Sequence, residues 1–397
     1  MTKPRNTAMI RRLNTARIFQ AVQRSPLASQ RDVHTLTGVD KATISAVVAD
    51  LEAAGLLERV PRAGRLGQRS VGRPQVGLRI AASAGTFIGI RVEVATTRAV
   101  VTNLDGTVIA VREWPGERDV DALVDRLVSI IDDMAPNGTH GQPPCRGIGI
   151  GVPGLLDESG RVVFAPNLGW RDVPLGARLR RRLGPVPVFL DNEANAGALA
   201  ERRFGVCQDS RTFLFVTGHS GVGGGLYLNG DLYRGGHGYA GEIGHIKVVA
   251  GGRRCGCGAL GCLDAYASEQ AIVSMLADRG ILAPDAEAVA ARACRGDPET
   301  LAVLAEAAGH LGVAISNLLH VIDPECVVLA GNFAPIAPFL EMPLAASIQA
   351  NTIAPIGRHV RVLTSPLGAD SVPMGGIALA LEGFLTDGGW LNAEAEG

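Results

Sequence analysis

Cys255-Gly256-Cys257-Gly258-Ala259-Leu260-Gly261-Cys262, preceded by Ala240-Gly241-Glu242-Ile243-Gly244-His245, is the most informative stretch of the chain. Two thiols one residue apart and a third five residues on can turn toward one point, because the intervening glycines admit tight backbone turns. As thiolates they offer three tetrahedral ligands, and a nearby imidazole offers a fourth. The set His245, Cys255, Cys257 and Cys262 leaves no coordination position open, so the metal expected in the loop 245–262 is a structural zinc. Three incidental free thiols are the weaker reading, since free cysteines rarely cluster this way among glycines in a cytosolic protein. The cysteine total of seven, an odd number, also fits a reducing compartment better than a disulfide framework.

Charge divides the rest of the chain. Residues 1–80 hold 14 Lys and Arg against 5 Asp and Glu, a net of +9, whereas residues 81–397 hold 24 against 34, a net of −10. A basic head on an acidic body suits a phosphate-binding module joined to a domain with another task. Helical periodicity runs through Ala16, Ile18, Phe19 and Val22; Ser29 then reads as the N-cap of a short helix closed by Gly38, and Asp40 as the cap of a third helix. In that helix Ile44, Val47, Val48 and Leu51 face inward, and Gly55 ends it before a strand from Leu56 to Val60. Three helices, a strand, an arginine-rich loop from Pro61 to Pro74 and a returning strand from Gln75 to Ile80 describe a winged helix-turn-helix. Lys41, Thr43 and Ser45 would face the major groove of double-stranded operator DNA, with Arg31 and the wing residues Arg62, Arg65, Arg69 and Arg73 on phosphates or in the minor groove. The alternative is a head that serves only packing or association.

From Thr86 the pattern becomes strand-like, with Ile88, Ile90, Val92 and Val94 on one face and Phe87, Arg91 and Glu93 on the other, then an Asp105-Gly106 turn and a further strand. Helical patterns near 119–134, 175–183, 193–203 and 298–321 alternate with short apolar strands at 147–152, 186–190, 212–217 and 325–330, which argues α/β layers. The helices between Leu311 and Leu340 fit either core or a dimer contact. The N-terminus has no signal-peptide stretch and no later run of about 18 apolar residues is evident, so no membrane association and a cytoplasmic location are expected.

The segments Gly149–Leu155, Ala165-Pro166-Asn167-Leu168, Asp191-Asn192-Glu193-Ala194-Asn195, Gly221–Gly225, Glu242-x-x-His245 and the Cys-x-Cys-Gly-x-x-Gly-Cys motif together resemble the ROK family of repressors and sugar kinases. The likeness covers nearly all of residues 81–385. It implies an α/β fold in which an all-α plus β-wing head (1–80) is fused to an actin-like, sugar-kinase body of two lobes (81–397). By the same resemblance a monosaccharide or amino-sugar effector would contact Asn167, Asn192, Glu193, Glu242, His245 and Asp264, the last where the family usually has glutamate. His245 would hold zinc through one ring nitrogen and a sugar hydroxyl through the other. Carboxylates and amides in such number suit a ligand that presents a fan of hydroxyls.

Family kinases carry an Asp-x-Gly-Gly-Thr turn where this chain reads Arg91-Val92-Glu93-Val94-Ala95-Thr96. Arg91 inverts the acid's charge, and side chains replace the glycines that let phosphates approach the backbone. Glu193 stands one methylene longer than the usual catalytic aspartate, and His219 and Ser220 replace Gly-Thr before the second glycine loop. The expectation is therefore a non-enzymatic, sugar-responsive repressor acting as a homodimer or homotetramer. An active sugar kinase with a DNA-binding head is the alternative.

Overall fold

The computed structural model describes residues 7–61, 76–134, 143–218 and 221–387. The wing residues Arg62, Arg65, Arg69 and Arg73, as well as His219 and Ser220, lie outside them. The head comprises α1 (Thr7–Arg24), α2 (Gln30–Thr37), α3 (Lys41–Ala53) and an antiparallel pair, β1 (Leu57–Pro61) and β2 (Val76–Ile80). Its punctuation is local chemistry. Ser29 and Asp32 form a reciprocal capping box at the start of α2, Gly38 ends that helix with φ +68°, and Asp40 accepts from the Thr43 N–H to start α3. The expected inward face of α3, Ile44, Val47, Val48 and Leu51, is buried.

The first lobe follows with β3 (Thr86–Val92), β4 (Thr96–Asn103), β5 (Val108–Pro115), α4 (Val120–Met134), β6 (Cys145–Val152), β7 (Leu155–Leu156), β8 (Val162–Ala165), β9 (Trp170–Val173), α5 (Leu175–Leu183), β10 (Val188–Asn192) and α6 (Glu193–Arg203). The second holds β11 (Phe213–Gly218), β12 (Val222–Leu228), β13 (Asp231–Leu232), α7 (Asp264–Ala267), α8 (Glu269–Ala277), α9 (Ala286–Cys294), α10 (Pro298–Ile322), β14 (Cys326–Gly331), α11 (Ala337–Asn351), α12 (Ala354–His359) and β15 (Arg361–Thr364). The two main sheets share one plan. Strand order is β10-β6-β3-β4-β5 in the first and β13-β12-β11-β14-β15 in the second, each an antiparallel meander of three strands extended by two parallel ones. A small sheet, β7-β8-β9, stands apart and ends at the cleft. Helix α10 is long and apolar enough to cross a membrane by length and composition, which the sequence reading passed over, but half of its apolar window is buried in the protein. Leu311, Ala314, Ile315 and Leu319 of α10 lie in the second-lobe core.

The last helix, α13 (Ser371–Asp387), crosses back to the first lobe and packs on β3, β6, α6 and α1. It corrects the two-faced reading of β3. Every residue from Thr86 to Val92 is buried, because α4 covers the face of Ile88, Ile90 and Val92 while α13 covers the face of Phe87. The approach is backbone to backbone: a Cβ on Gly149 would sit 1.8 Å from the Gly376 carbonyl oxygen, and one on Gly89 1.8 Å from that of Pro373. One apolar cluster joins α13, the first sheet and the head, where Ile377, Leu381, Phe384 and Leu385 meet Phe87 and Val100 of the body and Ile18, Phe19, Val22 and Leu78 of the head. Gln23 donates to the Asp105 carbonyl at 2.8 Å and Arg24 pairs with Asp209, so polar bonds add to the join. Gly149→Ala should lower unfolding stability by about 3 kcal/mol in denaturant titration, because neither backbone can yield without lifting the helix from the sheet. An unchanged midpoint would mean that the seam is loose.

Candidate metal centre and ligand cleft

Between β13 and α7 the chain forms the cysteine knuckle. Isolated bridges pair Lys247 with Cys262 and Arg254 with Leu260, and the Cys255 amide bonds the Ala259 carbonyl at 2.8 Å. Gly261 takes φ +76° with its α-carbon against the Val249 carbonyl, where a side chain has no room. The knuckle brings the donor atoms of His245, Cys255, Cys257 and Cys262 within 4.8 Å of one another. Cys255 Sγ lies 3.8 Å from His245 Nδ1, and Cys257 Sγ 3.8 Å from Cys262 Sγ. The edge of a tetrahedron around zinc with thiolate bonds of about 2.3 Å is about 3.8 Å, so the four residues could hold a tetrahedral metal ion with little movement. Lys247 Nζ, 2.8 Å from Cys262 Sγ, offsets part of the charge that three thiolates bring together.

All six expected sugar contacts line one cleft, of about 690 Å³, between the lobes. Asn167 comes from the turn between β8 and β9, where Gly169 adopts φ +74°. His245 joins the cleft to the metal centre: its Nδ1 faces Cys255, and its Nε2 lies 3.9 Å from Glu242 Oε2. Asp264 sits 3.6 Å from His245 Nδ1 through one oxygen and accepts from the Val222 N–H at 2.7 Å through the other. Burial raises the pKa of both the Glu242 and Asp264 carboxyls, so each holds its proton more tightly than a free carboxyl does. Asn192 is more occupied than the resemblance implies. Its Oδ1 caps α6 by accepting from Ala194 and Asn195, and its Nδ2 donates to the Gly154 carbonyl at 2.9 Å, which leaves one amide hydrogen for a ligand. Sequence reasoning missed Asp191 as an organiser. Its carboxylate receives Asn195 Nδ2 at 2.8 Å and, from the loop after β13, Arg234 Nε at 2.9 Å and Nη2 at 2.7 Å. The aspartate before the cap was visible, but its arginine partner lies far off in sequence.

At the end of the cleft where the kinase resemblance would put phosphates, the described residues crowd the space and leave a pocket of only about 10 Å³. Arg91 is buried, its Nη2 3.1 Å from Thr96 Oγ1 and 3.5 Å from Glu93 Oε2. In an open α/β sheet a nucleotide would use the crevice at the carboxyl ends of the parallel strands, here β11 and β14. Phe333 packs beneath Gly218 there, and Glu269 is tied to Asn332 and to the Ala286 N–H. Glu193, at the first position of α6, is buried beside Arg91, Glu93 and Glu242, and its Oε2 has no hydrogen-bond partner among the described residues. On the head, Arg31, Lys41 and Ser45 are exposed beside Ala42, Ala46 and Ala49, whose small side chains let α3 approach a surface closely. Thr43 is less free than expected, because its hydroxyl bonds Asp40 at 2.6 Å.

With the fold and cleft so arranged, comparison with known proteins is direct. The ROK family profile matches residues 87–382, and a MarR family profile matches residues 12–65. The chain belongs to the ROK family. The xylose repressor of Bacillus subtilis is 30% identical over 383 residues, covering 95% of this chain and 97% of its own length. A glucokinase of Halalkalibacterium halodurans is 31% identical over 329 residues, covering 96% of its own length but 78% of this chain, so the unmatched share is of the size of the head. A crystal structure of a ROK family transcriptional regulator, a homolog of the Escherichia coli MLC protein, superposes with a TM-score of 0.82 at 27% identity and covers 98% of this chain and 100% of its own.

Burial, reinforced by Glu93 and Glu242 against the partial relief from Arg91, pushes the Glu193 carboxyl from 4.5 up to about 8. Folding therefore takes up a proton between those values, and the stability present below the lower one is lost as pH rises toward the upper. Glu193→Gln should melt a few degrees above the parent at pH 7.5 and within about a degree of it at pH 5. Parallel melting curves at the two pH values would show that Glu193 ionises normally.

Proposed function

We propose that this ROK family member is a sugar-responsive DNA-binding repressor, with the head on operator DNA and a sugar effector in the cleft between the lobes. One observation carries the reading: a winged helix-turn-helix shares its core with a body whose cleft is lined for a polyhydroxylated ligand and crowded at the nucleotide end. The full-length likeness to a xylose repressor, head included, supports it. The kinase alternative needs a cradle for phosphates, and here Arg91, Glu93, Phe333 and the Glu269–Asn332 pair occupy that end of the cleft.

The chemistry follows from the residues. Glu242, Asp264 and Asn167 would bond sugar hydroxyls, while Asn192 orients the start of α6 through its cap. His245, Cys255, Cys257 and Cys262 would hold zinc, which when bound fixes the imidazole's tautomer and position. His245 then presents Nε2 to the ligand as a rigid group beside Glu242. A ligand that bridges the lobes loads α6, whose small residues seat against β12, where a Cβ on Gly225 would lie 2.5 Å from the Ala194 carbonyl oxygen, and against α13, where one on Gly375 would lie 1.9 Å from that of Ala196. Since α13 also carries the head, closure and head orientation belong to one mechanical unit. The sugar acts only through its different affinity for the two arrangements, a coupling of about 1–3 kcal/mol. A homodimer or homotetramer in the cytoplasm, reading a two-fold operator, completes the proposal.

Two measurements test it. Metal analysis of purified protein should find about one zinc per chain, and metal-free protein that remains folded and responds fully to sugar would remove the zinc from the account. Glu242→Ala should bind operator DNA as the parent does in gel-shift titration but no longer release it on adding sugar, because only the cleft has lost a ligand. A variant that loses DNA binding would make Glu242 structural, and parent protein that consumes ATP when sugar is added would overturn the regulator reading.

A further inference from the structure

The cleft is larger than one sugar ring needs. A single pyranose fills roughly 200 Å³ at protein packing density, against about 690 Å³ here. The surplus does not lie at the crowded nucleotide end, since neither Arg91, Gly218 nor Asn332 lines it. It runs instead along α8. That helix starts at the inner site, where Ser268 caps it and bonds the Asp264 carbonyl through its hydroxyl at 2.7 Å, and leads away from it. Gln270, Ser274 and Asp278 follow at spacings of four, so they fall on one face over about 12 Å of axis. All three line the cleft, are exposed, and make no side-chain hydrogen bond among the described residues. Arg254 of the knuckle lines the same cleft. On the first-lobe side stands Phe164 of β8, an aromatic platform held by the Arg171 guanidinium 4.9 Å from its ring centre. A row of uncommitted amide, hydroxyl and carboxylate groups with an aromatic face in the same cleft is chemistry for sugar rings, which offer hydroxyls at the edge and C–H groups on the face.

We propose that the effector is a neutral oligosaccharide of two or three units, its terminal ring among Glu242, His245 and Asp264 and the next along Gln270, Ser274 and Asp278. The inference rests on the sugar reading of the cleft and extends it to a second subsite. Of the two arginines that line the cleft, Arg253 is paired with Glu306 at 3.1 Å, so Arg254 and Asp278 are left to nearly cancel, which favours an uncharged ligand over a sugar phosphate.

Calorimetric titration of the full chain with matched series tests this: xylose, xylobiose and xylotriose; glucose, maltose and cellobiose; N-acetylglucosamine and N,N′-diacetylchitobiose. In the series that binds, a di- or trisaccharide should bind at least tenfold more tightly than its monosaccharide. The triple variant Gln270→Ala, Ser274→Ala, Asp278→Ala should erase that gain and keep monosaccharide affinity within twofold, with an unchanged melting temperature as its folding control. A monosaccharide that binds as tightly as every longer member overturns the second subsite while leaving the sugar reading intact. Equal weakening of mono- and disaccharide in the triple variant overturns it too. Binding of no saccharide overturns the sugar reading itself, and this inference with it.

Discussion

The rest of the structure depends on the contact between α13 and the first sheet. Gly89, Gly149 and Gly376 let helix and sheet meet backbone to backbone, closer than any side chain permits. That closeness fixes where the helix lies, and the helix then fixes two other things. It gives the head an apolar surface to share, and it rests on α6, whose first residue lies in the cleft. A helix held further off by ordinary side chains would have rotamer freedom at the interface and would transmit less of any movement.

The candidate metal centre and the crowded far end give the cleft two unlike ends. His245 belongs at once to the knuckle and to the cleft wall, so an ion held by the four residues would also place the imidazole. At the other end an arginine takes up the space near Glu193, and the charge there is balanced within the protein. A phosphate with its magnesium at the first turn would have to displace a buried ion pair and would meet the Glu93 and Val94 side chains there instead of glycines. The two ends therefore differ in kind: one is open and lined with groups able to bond hydroxyls, the other is crowded by the described residues.

What was legible in the sequence is what short-range chemistry decides. Ser29, Gly38, Asp40 and Gly55 punctuate the head through bonds to neighbours a few residues away, and the cysteine knuckle closes on itself over the eight residues from Cys255 to Cys262. The periodic segments of the body fell close to their helices and strands for the same reason. What was not legible depends on partners distant in the chain. The burial of the second face of β3 is imposed by a helix nearly three hundred residues later, and Arg234 reaches Asp191 from the opposite lobe's loop. Asn192 had the right place but a different occupation, since a residue at the end of a strand and the start of a helix is claimed first as a cap. The second row of polar groups on α8 carried no motif, because a helix face of Gln, Ser and Asp reads as ordinary solvent exposure until its surroundings are known.

The shared core between α13 and the head has a consequence for ancestry. A body built without a head would lose the apolar cover that Ile18, Phe19 and Val22 give this cluster, although Ile377 and Phe384 would keep their packing on Gly89 and Phe87 of β3. A DNA-binding module could not simply have been spliced in front of an existing enzyme; the far end of the chain had to change to receive it. The character of the positions in the final helix that the head covers should therefore separate headed from headless relatives, even where only a C-terminal fragment of sequence is in hand.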